Sequence, residues 1–397
     1  MRSGHATSFR GALCALVIAL SASAACAQAQ TYNLRVLHRF SGAPGDGSIS
    51  ETGVQFDRVG NLYGTTFKGG TYNAGTIFKI TKDGTETIVH SFKHVHTIVP
   101  GEVTIDRAAG DLYGTTLGGG KHDFGQLYKL AANGSFTVLH DFDATQDDAA
   151  PSASLFRDDQ GNLYGTTTAG AGYTWGTVFE YGADGSYRVL HVFTGPDGTD
   201  PLNGVIRDKA GNLYGLTEEG GVNNGGTVYK LAPDGTLTTL HSFPGFADAT
   251  PPGAGPLIRD NAGNLYGTTY GLTGYPPIYG TVFKLAPDGT FTTLYTFTGG
   301  IDGLYANALL RIGRNFYGTT QDGGDEGFGA VFKLTPDGRF TVLHSFTLLD
   351  GVYPESGLTL KQGRLFGTAS VSRPRLRSGG GTVFSFGVGK QFGLGTQ

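Results

Sequence analysis

The sequence predicts an all-β fold: a seven-bladed β-propeller of four-stranded antiparallel blades, with the ring closed by an N-terminal strand that completes the last blade. Three observations predict it. One string recurs seven times at near-constant spacing, each copy holds four short strand-like runs joined by turn signals, and the two ends of the array are incomplete in complementary ways.

The recurring string is G-N-L-Y-G-T-T or a close variant. Its Y/F-G glycine falls at Gly64, Gly114, Gly165, Gly215, Gly267, Gly318 and Gly367, in steps of 50, 51, 50, 52, 51 and 49 residues. A period this constant marks a repeat architecture, in which each unit buries its apolar faces against its neighbours. The composition agrees. The 397 residues include 67 glycines, 19 tyrosines and 26 phenylalanines, and only 16% are charged. Glycine weakens helices and aromatic residues favour strands, while the regular return of aromatic and β-branched residues excludes a disordered chain. The formal charge of -4 argues against a nucleic-acid partner, which would need a basic footprint.

Within a repeat, the first run (strand a) resembles Val205-Ile206-Arg207 and the second (strand b) is the L-Y-G-T-T run. The third (strand c) resembles Thr227-Val228-Tyr229-Lys230-Leu231, and the fourth (strand d) resembles Thr137-Val138-Leu139-His140-Asp141-Phe142. A D-x-x-G-N turn such as Asp208 to Asn212 joins a to b. An Asx-Gly turn joins c to d, at Asp83-Gly84, Asn133-Gly134, Asp184-Gly185, Asp234-Gly235, Asp288-Gly289 and Asp337-Gly338. Links this short make antiparallel neighbours, and Asx-Gly predicts a tight hairpin with both turn residues at positive φ. Four antiparallel strands repeated seven times make a propeller.

The ends decide between a ring and an open solenoid. Leu34 to Phe40 reads as a strand d that precedes any a, b or c. The seventh repeat supplies a, b and c (Leu358 to Leu360, Leu365 to Gly367, Thr382 to Phe384) and no d. Closing the ring pairs Val36 with the stretch near Phe384 and removes both exposed edges.

The first residues read as a secretory signal peptide. Arg2 and Arg10 precede the apolar run Gly11 to Ala25, and Ala25-Cys26-Ala27 gives a cleavage pattern before Gln28. The expected organisation is therefore a signal peptide over 1–27 and a single propeller domain over 28–397. The expected location is secreted or periplasmic, with a lipoprotein anchored through Cys26 as the alternative. Both cysteines, Cys14 and Cys26, fall in the signal, so the mature chain would hold together without disulfides. No further apolar stretch suggests a stable transmembrane anchor.

The units closely resemble the GloVer tandem repeat of bacterial exported proteins described as "choice-of-anchor" proteins. The resemblance covers about residues 31 to 386 and recurs in every unit. It implies an extracellular or envelope location and carries no established activity. The C-terminus, Gln391 to Gln397, departs from the family by showing no recognisable anchor tail.

Residues that recur in every blade are expected to build blades. Six of the ten histidines occupy one position of strand d (His38, His90, His140, His191, His241, His344), with Tyr295 in the remaining copy. Strand d lies three strands out, roughly 14 Å from strand a at ~4.8 Å per strand, so these histidines cannot converge, and packing is their expected role. The D-x-x-G-N aspartates (Asp57, Asp158, Asp208, Asp260) lack the alternating acidic ligands of a calcium loop and read as turn stabilisers. No phosphate loop, nucleophile elbow or zinc-spaced pair is present, His94-x-His96 standing alone in a loop. No catalytic residue, no metal site and no cofactor is expected.

Blade-specific residues are the binding candidates. The longer d–a and b–c links share one face, where function on a rigid frame tends to concentrate. The candidates there are Tyr173 and Trp175, Glu218, Glu219 and Asn223, Tyr270, Tyr275 and Tyr279, and Asp322, Asp325 and Glu326. Arg373, Arg375 and Arg377 lie on the last of these loops. Aromatic rings beside amides and carboxylates suit a carbohydrate or a peptide. A second pattern is basic. Strand a ends in Arg157, Arg207, Arg259, Arg311 and Lys361 in five consecutive blades, a potential cationic ring for an anion, or simple partners for the turn aspartates.

Three functional classes stay open at this point. One is a non-enzymatic binding or scaffold propeller, with an extracellular glycan or protein as partner. Another is a carbohydrate-active hydrolase or lyase pairing Glu218 or Glu219 with Asp322, Asp325 or Glu326. The third is a structural repeat protein of the envelope or matrix.

Overall fold

The computed structural model describes residues 33–388 apart from 44, 94–98, 144–148, 152–153, 169–174, 246–250, 254, 272–276 and 371–379. The signal-peptide residues, His94, His96, Tyr173, Tyr275 and the arginines at 373, 375 and 377 therefore lie outside the described residues. No helix occurs among those described, and none is long and apolar enough to cross a membrane.

Seven antiparallel blades follow one another along the chain, and a two-stranded ribbon, Gly47–Ser48 with Lys68–Gly69, flanks the first. Blade 4 is representative: strand a Ile206–Arg207, b Leu213–Thr217, c Thr227–Leu231 and d Leu237–Ser242, hydrogen-bonded in that order. Blade 7 takes a, b and c from Thr359–Lys361, Arg364–Ala369 and Thr382–Gly387, and its fourth strand is Leu34–Arg39. Val36 pairs with Phe384, and Leu34 with Phe386, so the first strand of the chain closes the ring. Blade 6 departs from the pattern. Its second strand runs on from Asn315 to Asp322 and pairs with an additional segment, Leu304–Ala306, giving a five-stranded sheet.

The core lies between blades. Tyr214, Val228 and Phe243 of blade 4 pack on Leu257, Leu265 and Phe283 of blade 5, and equivalent layers fill the other interfaces. The repeat glycine of L-Y-G follows from this packing. A Cβ at Gly165 would lie 2.5 Å from Cζ of Phe179, and one at Gly215 would lie 2.3 Å from the hydroxyl of Tyr229. The ring of strand c lies over the bare backbone of strand b, which only glycine permits.

Each c–d pair carries a one-residue bulge beside the V-L-H run: Leu127 pairs with His140, while the next residue, Tyr128, pairs with Val138. Leu139 is left over. Such a bulge sharpens the local twist.

The c–d turn differs from the sequence expectation. Gly84, Gly134, Gly185 and Gly235 have φ of 89°, 87°, 87° and 87°, but the Asx residue before each is not in the positive region. The link is a longer loop: Gly84 N–H donates to Thr81 O and Thr81 N–H to Thr85 O. This is a type I turn followed by a left-handed glycine. The Asx side chain accepts the backbone N–H two residues on, as in Thr236 to Asp234 at 2.9 Å, a local bond that does not need positive φ.

The D-x-x-G-N aspartates stabilise turns, as expected. Asp208 accepts from the backbone of Ala210 and Asn212, from the Asn212 amide and from the Tyr214 hydroxyl, all at 2.9–3.0 Å. These bonds hold its carboxyl below the ordinary range against the opposing effect of burial, the largest single influence.

Candidate functional site

The residues just before strand a converge from all seven blades. Glu51, Glu102, Ser154, Asn203, Pro256, Ala308 and Glu355, one from each blade, line a single cavity of about 230 Å³. That convergence places strand a innermost and the cavity on the axis, at the long-loop end of the channel.

The first threonine of G-T-T fixes these loops. Its hydroxyl donates to a carbonyl in the pre-a loop of the next blade: Thr65 to Gly101 (3.1 Å), Thr319 to Ser356 (2.9 Å) and Thr368 to Thr52 (2.9 Å). Asn203 and Asn307 add side-chain bonds to Gly253 O and Pro354 O at 2.8 and 2.6 Å. Hydrogen bonds between neighbouring blades therefore hold the backbone that presents the variable side chains at the mouth.

Three of those side chains are glutamates from the adjacent blades 7, 1 and 2. Glu51 and Glu355 lie within hydrogen-bonding reach of each other. Ser370 donates to Glu51 at 3.3 Å, and the Gln321 amide donates to Glu355. Burial, then the charge and hydrogen bond of Glu355, push Glu51 up to about 8. The pair thus holds a proton at neutral pH, because two like charges in contact out of water cannot both ionise. Glu102 accepts from the Gln55 amide at 2.8 Å and is also raised by its burial. It presses against Gly53, where a Cβ would meet its carboxyl at 2.7 Å. Sequence reasoning missed all three. Their only signal was an acid just before strand a in three blades, at Glu51, Glu102 and Glu355, in the least regular part of the repeat.

None of the described residues among the sequence-predicted candidates lines this cavity. Trp175 is 48% exposed, and its carbonyl accepts the Asp200 N–H at 3.0 Å. The Glu218 carboxyl is raised by burial, then by Asp200 and Glu219, so the acids it meets belong to its own blade. Glu219 is exposed and bridges to Thr199 through the backbone, and Asn223 is exposed. Tyr270 meets Tyr305 edge-on at 6.4 Å, and Tyr279 packs against the core of its interface. Asp322 belongs to the long strand of blade 6, followed by a turn that exposes Asp325 and Glu326.

Arg157, Arg207 and Arg259 of strand a engage the preceding blade, whereas Lys361 engages the following one, blade 1. Arg157 bonds Asp106 at 2.7 Å and lies over the Tyr113 ring. Arg207 reaches Asp158 at 3.6 Å and lies over Tyr164, and Arg259 lies over Tyr214. Lys361 lies over Phe56. The guanidinium groups of Arg157 and Arg207 are thus charge-matched between blades.

No curated protein is detectably similar in sequence. Among solved structures, PorZ, described as an essential surface component of the type-IX secretion system of Porphyromonas gingivalis, aligns with a TM-score of 0.54 at 16% identity. The alignment covers 88% of this chain and 48% of PorZ. A Xanthomonas campestris gluconolactonase aligns at 0.44 and 15%, covering 90% of this chain and 89% of that one. A further protein described as a gluconolactonase aligns at 0.45 and 15%, covering 90% and 92%. At these identities the PorZ likeness supports the propeller fold and nothing finer, and the other two add no argument. The sequence repeats are more telling: they match the Gloeobacter/Verrucomicrobia repeat over residues 26–207, 145–315 and 202–392, and the chain belongs to that repeat family.

Proposed function

We propose that this protein is an exported, non-enzymatic binding propeller that takes a carbohydrate into the central cavity from the long-loop face. The observation that carries the reading is the contact of Glu51 with Glu355, beside Glu102, in a cavity that every blade helps to line. A carboxyl pair that keeps one proton offers a donor and several acceptors together, as neighbouring hydroxyls require. A cavity of about 230 Å³ is smaller than the ~300–1,000 Å³ that takes drug-sized ligands, so it suits one sugar unit or a chain end. Export rests on the Arg2 to Ala27 layout and on the family.

Hydrolysis is the second reading, favoured by the contact of Glu51 with Glu355: a carboxyl pushed up by burial and a neighbouring acid keeps the proton a general acid needs. Binding is preferred because carboxyls in direct contact are closer than the ~5–5.5 Å of a retaining pair or the ~6.5–9.5 Å of an inverting one.

The test is a thermal-shift and glycan-array screen of the mature chain against saccharides and peptides. Saccharide binding is expected, weakened more than about tenfold by Glu51→Gln with Glu355→Gln and unchanged by Trp175→Ala. Binding indifferent to the double change, peptide binding alone, or no ligand at all would overturn the reading. Release of reducing sugar that the double change abolishes would establish the hydrolase instead.

A further inference from the structure

The outer contact between blades follows one rule with one exception. The histidine or tyrosine of strand d faces the first residue of strand d in the next blade. His90 stacks on Phe136, His140 on Tyr187, His241 on Phe291 and Tyr295 on Phe340, with centroids 3.9–4.2 Å apart, the individual values being 4.0, 3.9, 4.2 and 4.1 Å. Where that first residue is Leu237 or Leu34, the imidazole bonds an aspartate of its own loop: His191 to Asp197 at 2.8 Å, His344 to Asp350 at 2.7 Å. At the seam between blades 7 and 1, the first residue is an acid, Glu86. There His38 has neither a ring to stack on nor a close aspartate bond.

Instead, donor atoms of His38, Asp46 and Glu86 all lie within 4.8 Å of one another. Nε2 of His38 and Oε1 of Glu86 are shut off from solvent, and neither has a hydrogen-bond partner among the described residues. Such orphans are rare in folded proteins and call for a missing partner. Asp46 is already aimed. Ser41 donates its N–H and hydroxyl to Oδ2, each at 2.6 Å, and Gly47 N–H donates to Oδ1 at 2.7 Å. Oδ1 stands 3.5 Å from His38 Nε2, close to the ~3.4 Å that separates two tetrahedral ligands bound at ~2.1 Å. Burial and the Asp46 charge push the Glu86 carboxyl up to about 7, a cost that a bound cation would reverse.

We propose that His38, Asp46 and Glu86 hold a divalent transition-metal ion of the zinc class, which clips the ring-closing strand to blade 1. One imidazole nitrogen with two carboxylates selects zinc-like ions over magnesium or calcium, and water completes the shell. His38 and Asp46 belong to the N-terminal segment and Glu86 to blade 1, so the ion ties together the two stretches whose separation would open the ring.

The experiment uses the untagged mature chain, stripped with chelator and titrated with zinc, manganese and calcium chloride by calorimetry and thermal melting, with cobalt(II) as an optical probe. One zinc per chain is expected, with a raised Tm and tetrahedral cobalt bands. Glu86→Phe restores the stacking residue of other blades, so it should fold and keep the seam while its zinc affinity falls more than about tenfold. Asp46→Asn should weaken zinc similarly. The proposal fails if the native chain binds no stoichiometric zinc, if calcium alone raises Tm, or if Glu86→Phe binds zinc as tightly as the native chain.

Discussion

The two faces of the propeller treat charge in opposite ways. At the short-loop end, Arg157 and Arg207 meet Asp106 and Asp158 of the preceding blade and lie over its tyrosine. At the long-loop end, Glu51 meets Glu355, an acid against an acid. Residues that recur with the repeat bring recurring partners, so their charge is matched locally. Residues that only some blades carry have no such partner built in, and the ring brings them against each other. The unmatched end is where a ligand would gain most by supplying the missing interactions.

The comparison can be broken from either side. The largest effect is expected from Asp158→Ala. This carboxylate is 6% exposed and accepts from Gln160, Asn162 and Tyr164 besides facing Arg207. Its loss leaves several donors and a cation unmatched, for about 3 kcal/mol in chemical denaturation. A change under ~1 kcal/mol would mean that the short-loop latches are dispensable.

A pH effect comes next. The unfolded chain ionises Glu51 near 4.5, whereas the folded one keeps it protonated to about 8. Across that window the folded state binds more protons, so this group's contribution to stability is full below 4.5 and is lost as pH rises toward 8. In the metal-free chain Glu86, raised to about 7, adds a slope of the same sign. Glu51→Gln should flatten the fall in Tm, and an unaltered profile would show that the acidic mouth is already relieved.

Lys361→Ala should do least. The a–b turn of blade 6, Ile312-Gly313-Arg314-Asn315, carries no aspartate, and Lys361 lies over the Phe56 ring at 5.5 Å. A loss of about 0.5–1 kcal/mol is expected, set against the larger loss at Asp158 in the same denaturation series.

The repeat, the antiparallel blades and the pairing of Val36 with Phe384 were legible because each follows from local pattern. Strand runs, turn residues and the missing fourth strand are all written in order along the chain. The c–d turn was half legible: its glycine is at positive φ, but the loop is longer than the dipeptide suggested, because an aspartate side chain supplied the bond that a tighter turn would have made. The site was scarcely legible. The b–c loops vary most along the chain, yet Trp175 and Glu219 face solvent and do not line the cavity, while three glutamates in short segments before strand a do.

What each repeat becomes follows from its own residues, since alternating apolar residues and Asx-Gly turns act over a few positions. Which residues meet depends on the closed ring. Glu51 and Glu355 are brought together by closure of the ring, and His38 and Glu86 by the same seam. Contacts across a closed ring depend on blade number and on which side chains point inward, and neither is encoded in any one repeat.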